Sequence, residues 1–219
     1  MKQTFFLILI LISIIGQSCQ SEGTTPKQGR EEVEGPRVVG LQPFEGFRSS
    51  YLPKVREKIE EKYGFETVVM PEIKMPKAFF VNVKSPRYRA DSIIRFLYAE
   101  KPDSIDIVLG LTHYDTSTTK KNADGTVKEP KEKYTDWGIF GLGFIARGSC
   151  VVSTYRLGRK VGESEKIERM QKVCLHEVGH TLGLPHCPNQ DCFMRDAAES
   201  IKTIDYVGME LCKDCQRKF

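Results

Sequence analysis

Three of the four histidines in this 219-residue chain fall within eleven residues, in the run His176-Glu177-Val178-Gly179-His180-Thr181-Leu182-Gly183-Leu184-Pro185-His186. No other feature constrains the fold as strongly. For the three imidazoles to converge on one point, the backbone must turn back between the second and the third. On a helix, a spacing of four places His176 and His180 on one face and about 6 Å apart along the axis, close enough to bind one zinc ion. Glu177, turned by about 100° from His176, flanks that ion and can reach a water held there. Gly183 can take the left-handed conformation that ends the helix, Pro185 holds Leu184 extended, and His186 arrives as a third ligand. Three neutral ligands leave one position of the zinc open, where the pKa of water falls to about 7 and a carbonyl is polarised. Glu177 is then placed to take the water proton and pass it to a leaving amine. The expected chemistry is hydrolysis of a peptide or related amide bond.

The helix that carries the pair is expected to run from Glu163 to Leu182, with Glu163 and Glu165 in its first turn, where they complement the helix dipole. Ile167, Met170, Cys174 and Val178 form one narrow stripe for the core, and His176 and His180 project from roughly the opposite side. Four of the seven cysteines follow within the last 33 residues, as Cys187, Cys192, Cys212 and Cys215. Their short paired spacings fit a structural zinc site. The rival is disulfide or redox chemistry, with Cys212-Lys213-Asp214-Cys215 as the pair, because an exported chain meets an oxidising compartment. Cys150 and Cys174 read as buried thiols, with a disulfide between them left open, and His113 as a loop or strand-end residue.

His-Glu-x-x-His-x-x-Gly-x-x-His resembles the metzincin metalloproteases, and the continuation narrows the resemblance. Cys187 follows His186 at once; four residues separate it from Cys192, one separates Cys192 from Met194, seventeen separate Met194 from Cys212, and two separate Cys212 from Cys215. This pattern is similar to that of the archaemetzincins over residues 176 to 215. Leu111-Thr112 with Asp115, and the Gly-rich strand before Val151-Val152-Ser153, resemble the family more loosely. The resemblance implies that His176, His180 and His186 hold a catalytic zinc and that Glu177 is the general base. It further implies that Met194 forms a methionine turn under the histidines, and that Cys187, Cys192, Cys212 and Cys215 bind a second, structural zinc. The implied fold is a compact α/β (α+β) domain, with a mixed twisted sheet whose edge strand can pair with substrate, a long active-site helix and a C-terminal segment stapled by zinc. The implied activity is that of a peptidase or aminopeptidase.

Elsewhere the pattern is that of an ordinary globular α/β chain, 40% hydrophobic and 28% charged. Helices are expected at Leu52 to Tyr63 and Ala90 to Glu100, the second burying Ile93, Ile94, Leu97 and Tyr98. Strands are expected at Glu66 to Met70, Ala78 to Val83 and Ile105 to Leu111. Thr112 to Trp137 reads as a long surface loop. Gly138 to Ala146 and Ser149 to Tyr155 read as paired strands, with the glycines of the first permitting close backbone approach. Tyr155, Arg156 and Tyr206 are candidates for holding substrate or stabilising an oxyanion.

The N-terminus is a separate object. Phe5 to Gly16 is apolar but short for a bilayer span, and Gly16-Gln17-Ser18-Cys19 resembles a bacterial lipoprotein signal. Residues 1–18 are therefore expected to be a signal peptide, Cys19 to carry lipid, residues 19–37 to form a flexible tether, and residues 38–219 to form the folded domain. Ordinary cleavage or a transmembrane anchor are the alternatives. An exported, lipid-anchored, monomeric protein of the bacterial cell envelope acting on peptides follows from this reading. The net charge of +4, without basic runs interleaved with aromatics, argues against nucleic acid. The competing function is an envelope-anchored, zinc-containing peptide-binding or scaffold protein with little turnover.

Overall fold

The computed structural model describes residues 37–196 and 200–219. The expected signal peptide, Cys19 and all of the tether except Arg37 lie outside the described residues.

Strand β1 (Val38–Pro43) leads through helix α1 (Leu52–Tyr63) to β2 (Glu66–Val69). A hairpin of β3 (Phe80–Asn82) and β4 (Pro86–Arg89) precedes α2 (Ala90–Ala99) and then β5 (Ile107–Thr112). There follow β6 (Thr116–Thr118), the short α3 (Lys131–Tyr134), β7 (Trp137–Ile139), β8 (Gly141–Gly143) and β9 (Ser149–Ser153). The long helix α4 (Glu163–Thr181) and the short α5 (Ile201–Tyr206) and α6 (Lys213–Gln216) complete the described chain.

The main sheet has the order β2-β1-β5-β9-β8, parallel except for β8, which runs antiparallel to β9 and forms one edge. Every residue of β5 is buried, as a central strand covered on both faces requires. Alternate side chains serve opposite layers. Ile107, Leu109 and Leu111, with Cys150 and Val152 of β9, join the core under α1 and α4, whereas Val108 and Val151 join the one under α2. Gly110 brings α2 close to the sheet, since a Cβ there would stand 2.6 Å from Leu97 Cδ1.

The expected helices form with nearly the expected ends. Gly64 stops α1 in the left-handed conformation at φ 67°, and Gly183 follows α4 at φ 91°. On α2, Ile93, Ile94 and Leu97 are buried, each contributing about 1.5–3 kcal/mol. Tyr98 departs from expectation and is exposed, because the α2 stripe facing the sheet is too narrow to include it. Residues 112 to 137 are not one surface loop: β6 and β7 pair within them and extend the β3–β4 hairpin into a second, four-stranded sheet of order β3-β4-β6-β7. The segment Gly138 to Ala146 is correspondingly split, β7 serving the small sheet and β8 the edge of the large one.

Helix α5 is held to α4 by a two-pronged ion pair, Arg169 Nε to Asp205 Oδ1 at 2.5 Å and Nη2 to Oδ2 at 2.8 Å.

Candidate active site and metal centres

Helix α4 carries both functions read into it. Met170, Cys174 and Val178 are buried in the core, while His176, Glu177 and His180 line a cleft of about 490 Å³ together with His186, β8 and Phe193. Gly183 reverses the chain as expected, its N–H donating to the His180 carbonyl and the Leu184 N–H to that of Gly179, both near the helix end. His186 is thereby brought beside the helical pair. The ring centroids lie 4.6 Å apart for His176 and His180, 5.3 Å for His176 and His186, and 4.9 Å for His180 and His186. One ligand atom from each of the three lies within 4.8 Å of the others.

Backbone carbonyls decide which ring nitrogens face one another. His176 Nδ1 lies 2.7 Å from the Phe193 carbonyl, and His180 Nδ1 lies 2.8 Å from that of Leu184. A carbonyl only accepts, so each Nδ1 carries the proton and each Nε2 keeps a lone pair for a metal. His186 Nδ1 lies 3.6 Å from Asp196 Oδ2. Burial, then the like charges of His180 and His186, drive His176 down to about 3, against the Phe193 carbonyl, which favours its charged form. Burial also lowers His180. Neutral imidazoles, aimed through Nε2, are the form a zinc ligand needs, so the donor set fits that ion.

Glu177 is buried, and β8 lies directly on it. A Cβ at Gly141 would stand 2.6 Å from Glu177 Oε1, and one at Gly143 would stand 2.7 Å from the Glu177 carbonyl oxygen and 2.9 Å from His180 Cβ. Only glycines let the edge strand approach this closely. Burial pushes Glu177 up to about 8, partly opposed by the Gly143 backbone N–H. Met194, fully buried, packs against Gly179, the residue just before His180.

The four C-terminal cysteines meet at a second point. Their sulfurs lie within 4.8 Å of one another, and Cys187 Sγ to Cys212 Sγ is 3.7 Å. Four sulfurs each about 2.3 Å from a tetrahedral zinc stand about 3.8 Å apart, whereas a disulfide is about 2.05 Å long. All four are separate thiols, as are Cys150 and Cys174 in the core. The Cys215 backbone N–H, assisted by neighbouring thiols, draws Cys212 down to about 7, while burial pushes Cys192 and Cys215 up. The Cys187 N–H donates to the Met194 carbonyl, joining the cysteine cluster to the residue that packs against Gly179 of α4.

The remaining candidates lie elsewhere. His113 stacks on Tyr114 at 4.1 Å and covers Gly46. Tyr155 and Tyr206 are exposed and, like Arg156, do not line the cleft. Arg156 is tied to Asp115. The features that residue types alone did not reveal are the Phe193 and Leu184 carbonyls and the contact of β8 with Glu177.

Fold and site together are those of a zinc metallopeptidase. The chain belongs to peptidase family M54, whose sequence pattern matches residues 37–219. An archaemetzincin of Halobacterium salinarum is 32% identical over 163 residues, covering 71% of this chain and 83% of that one. One of Haloquadratum walsbyi is 28% identical over 188 residues, 82% of this chain and 98% of that one. Among solved structures, the archaemetzincin of Methanopyrus kandleri matches with a TM-score of 0.66 at 28% identity, covering 84% of this chain and 95% of that one. That of Archaeoglobus fulgidus matches in fold at 23% identity and a TM-score of 0.65, covering 83% and 99%. The resemblance to archaemetzincins and the hydrolase reading therefore hold, and the scaffold alternative is not favoured. No helix among the described residues is long and apolar enough to cross a membrane.

Proposed function

We propose that His176, His180 and His186 hold the catalytic zinc, that Glu177 is the general acid and base of peptide hydrolysis, and that Cys187, Cys192, Cys212 and Cys215 hold a second, structural zinc. The observation that carries the reading is the convergence of three imidazoles, two of them held by carbonyls at Nδ1 so that Nε2 is free for a metal, beside one buried carboxylic group in an open cleft. Bound at the imidazoles, zinc supplies a Lewis acid that polarises the scissile carbonyl and lowers the pKa of water. Phe193 and Leu184 hold the rings in the productive tautomer. Glu177 takes the water proton on its carboxylate and returns it to the leaving amine. β8 offers its outer backbone edge, as the last strand of the main sheet, to an extended peptide. Met194 supports the histidines from beneath, and the cysteine cluster pins the segment that supplies the Phe193 carbonyl.

In the same reading the N-terminal segment is a signal peptide ending before Cys19, and Cys19 carries lipid that anchors the domain of residues 38–219 to a bacterial envelope membrane as a monomer. The small residues Gly16 and Ser18 before Cys19 and the short apolar run ahead of them support it.

The test is a panel of peptides with metal analysis. Wild type is expected to cleave at least one peptide and to hold about two zinc ions per chain. Glu177→Gln is expected to keep both ions and lose about 10²- to 10⁴-fold in kcat/KM. Full turnover by that variant, or a single zinc with the four cysteines oxidised, would overturn the corresponding assignment.

A further inference from the structure

A second cavity, of about 410 Å³, shares one lining residue with the cleft, Phe140. Its lining includes Lys84, Arg87, Trp137, Arg156 and Arg159 against a single carboxylate, Asp136. Two of these cations are already matched. Arg156 grips Asp115 with Nε at 2.7 Å and Nη2 at 2.8 Å, and Arg87 bridges Asp115 at 2.9 Å and Asp136 at 3.0 Å. Arg156 lies flat against the backbone of Gly138, where a Cβ would fall 2.2 Å from Nη2. These groups make a fixed wall with little net charge.

Lys84 and Arg159 are left over. The Lys84 ammonium donates to the Lys133 carbonyl, and its backbone N–H donates to Asp136 Oδ2 at 3.2 Å. Neither side chain has a carboxylate partner among the described residues, so with Asp115 and Asp136 matched to Arg87 and Arg156 the described part of the cavity has an excess of two positive charges. Arg159 is an exposed part of the lining, and no described residue engages its planar fork. A guanidinium so placed matches the geometry of a carboxylate in particular.

Position says which carboxylate. Phe140 immediately precedes Gly141, the strand residue lying on Glu177. Gly138, in the cavity wall, is three residues from Gly141, a reach of no more than about 11 Å. We propose that this cavity is an anion subsite that takes a carboxylate of the bound peptide within about three residues of the bond cleaved, with Arg159 as the contacting group and Lys84 adding charge. Either an acidic side chain or a peptide C-terminus carries that chemistry. The identity of the ligand rests on the peptidase reading, whereas the binding of carboxylate does not.

The single tryptophan of the chain, Trp137, lines the cavity and makes binding observable without turnover. The zinc-loaded protein is titrated with N-acetylglutamine, N-acetylglutamic acid α-amide and N-acetylglutamine amide, which carry a terminal carboxylate, a side-chain carboxylate and neither. A saturable change in Trp137 fluorescence is expected with one or both acids and not with the neutral amide. Arg159→Gln is expected to weaken it about tenfold or more and Arg159→Lys to restore part of it. An equal response to the neutral amide, no response to either acid, or unchanged affinity in Arg159→Gln overturns the subsite. In parallel, one glutamate is scanned against glutamine through a peptide substrate with free or amidated C-terminus. The ratio of kcat/KM for the acidic over the neutral member is expected to peak within three residues of the cut and to collapse in Arg159→Gln. A ratio that Arg159→Gln leaves intact also overturns the proposal. If wild type cleaves no peptide at all, the hydrolase reading fails and the fluorescence titration judges the cavity alone.

Discussion

Met194 Sδ lies 2.4 Å from the point a Cβ on Gly179 would occupy, and the Tyr63 hydroxyl lies 3.0 Å from it. The active-site helix is therefore seated directly on the methionine by its bare backbone, at the residue that immediately precedes His180. Both neighbours are held, Met194 by full burial and Tyr63 by a hydrogen bond of 2.7 Å to the Leu175 carbonyl. Gly179→Ala is expected to destabilise the fold by about 1–3 kcal/mol through overpacking. Met194→Leu, which conserves volume, is expected to cost less than about 1.5 kcal/mol. Urea unfolding of the zinc-loaded proteins measures both, and an alanine tolerated at no cost would show that the contact is slack.

Gly141 tests a second close approach to α4, that of β8. A methyl group there would collide with Glu177 at Oε1, 2.6 Å, and at Cγ, 2.7 Å. Gly141→Ala is expected to lower kcat/KM by about 10²-fold, the scale of a 1 Å misplacement, at unchanged zinc content. Zinc loss alongside activity would instead locate the damage in the histidines.

The raised Glu177 pKa makes a prediction for the zinc-free protein. Its folded value is about 8 against an ordinary 4.5, so between these the folded chain keeps a proton that the unfolded chain has released. The stability this group contributes is fully present below pH 4.5 and is lost as pH rises through 8, by about 1.4 kcal/mol per pH unit at most. Glu177→Gln lacks that proton, while His176 and His180 are common to both proteins. In chelator, the stability of the variant minus that of wild type should therefore rise with pH across the window. A flat difference would mean that Glu177 is ionised in the zinc-free fold. With zinc restored the slope should shrink, because a cation beside a carboxylate favours its charged form.

The cysteine cluster should reach the third histidine through the chain itself. Cys187 adjoins His186, and its N–H donates to the Met194 carbonyl at 2.9 Å. Cys215→Ser is expected to remove one zinc and to weaken the catalytic ion about 10- to 100-fold, the cost of losing support around a ligand. Competition with a chromophoric chelator reads both ions. Unaltered affinity at the histidines would show that the two centres are independent.

How much of this was legible in the sequence depended on the kind of group involved. His176, His180, Gly183 and His186 announce themselves because ligand type, helical period and a left-handed turn agree at fixed spacing. The stripe Met170, Cys174 and Val178 was equally legible from its period. Thr116-Ser117-Thr118 was not: three polar residues give no alternating pattern, yet they pair with β4 and β7 and bury Thr116 and Ser117. Tyr98 misled because an aromatic residue beside a buried stripe looks apolar while standing about 100° away from its centre. The carbonyls of Phe193 and Leu184 are backbone atoms, and no residue identity could mark them.

Because one helix serves as a wall of both the core and the cleft, a substitution that shifts α4 to suit a new substrate would also disturb the packing of α1 and the central strands. The route left open to such a lineage is the stretch between β5 and β7, together with Arg159, where the chain can vary at the rim without repositioning the imidazoles. Changes in what is cut should accordingly accumulate around the small sheet, leaving the chemistry that does the cutting untouched.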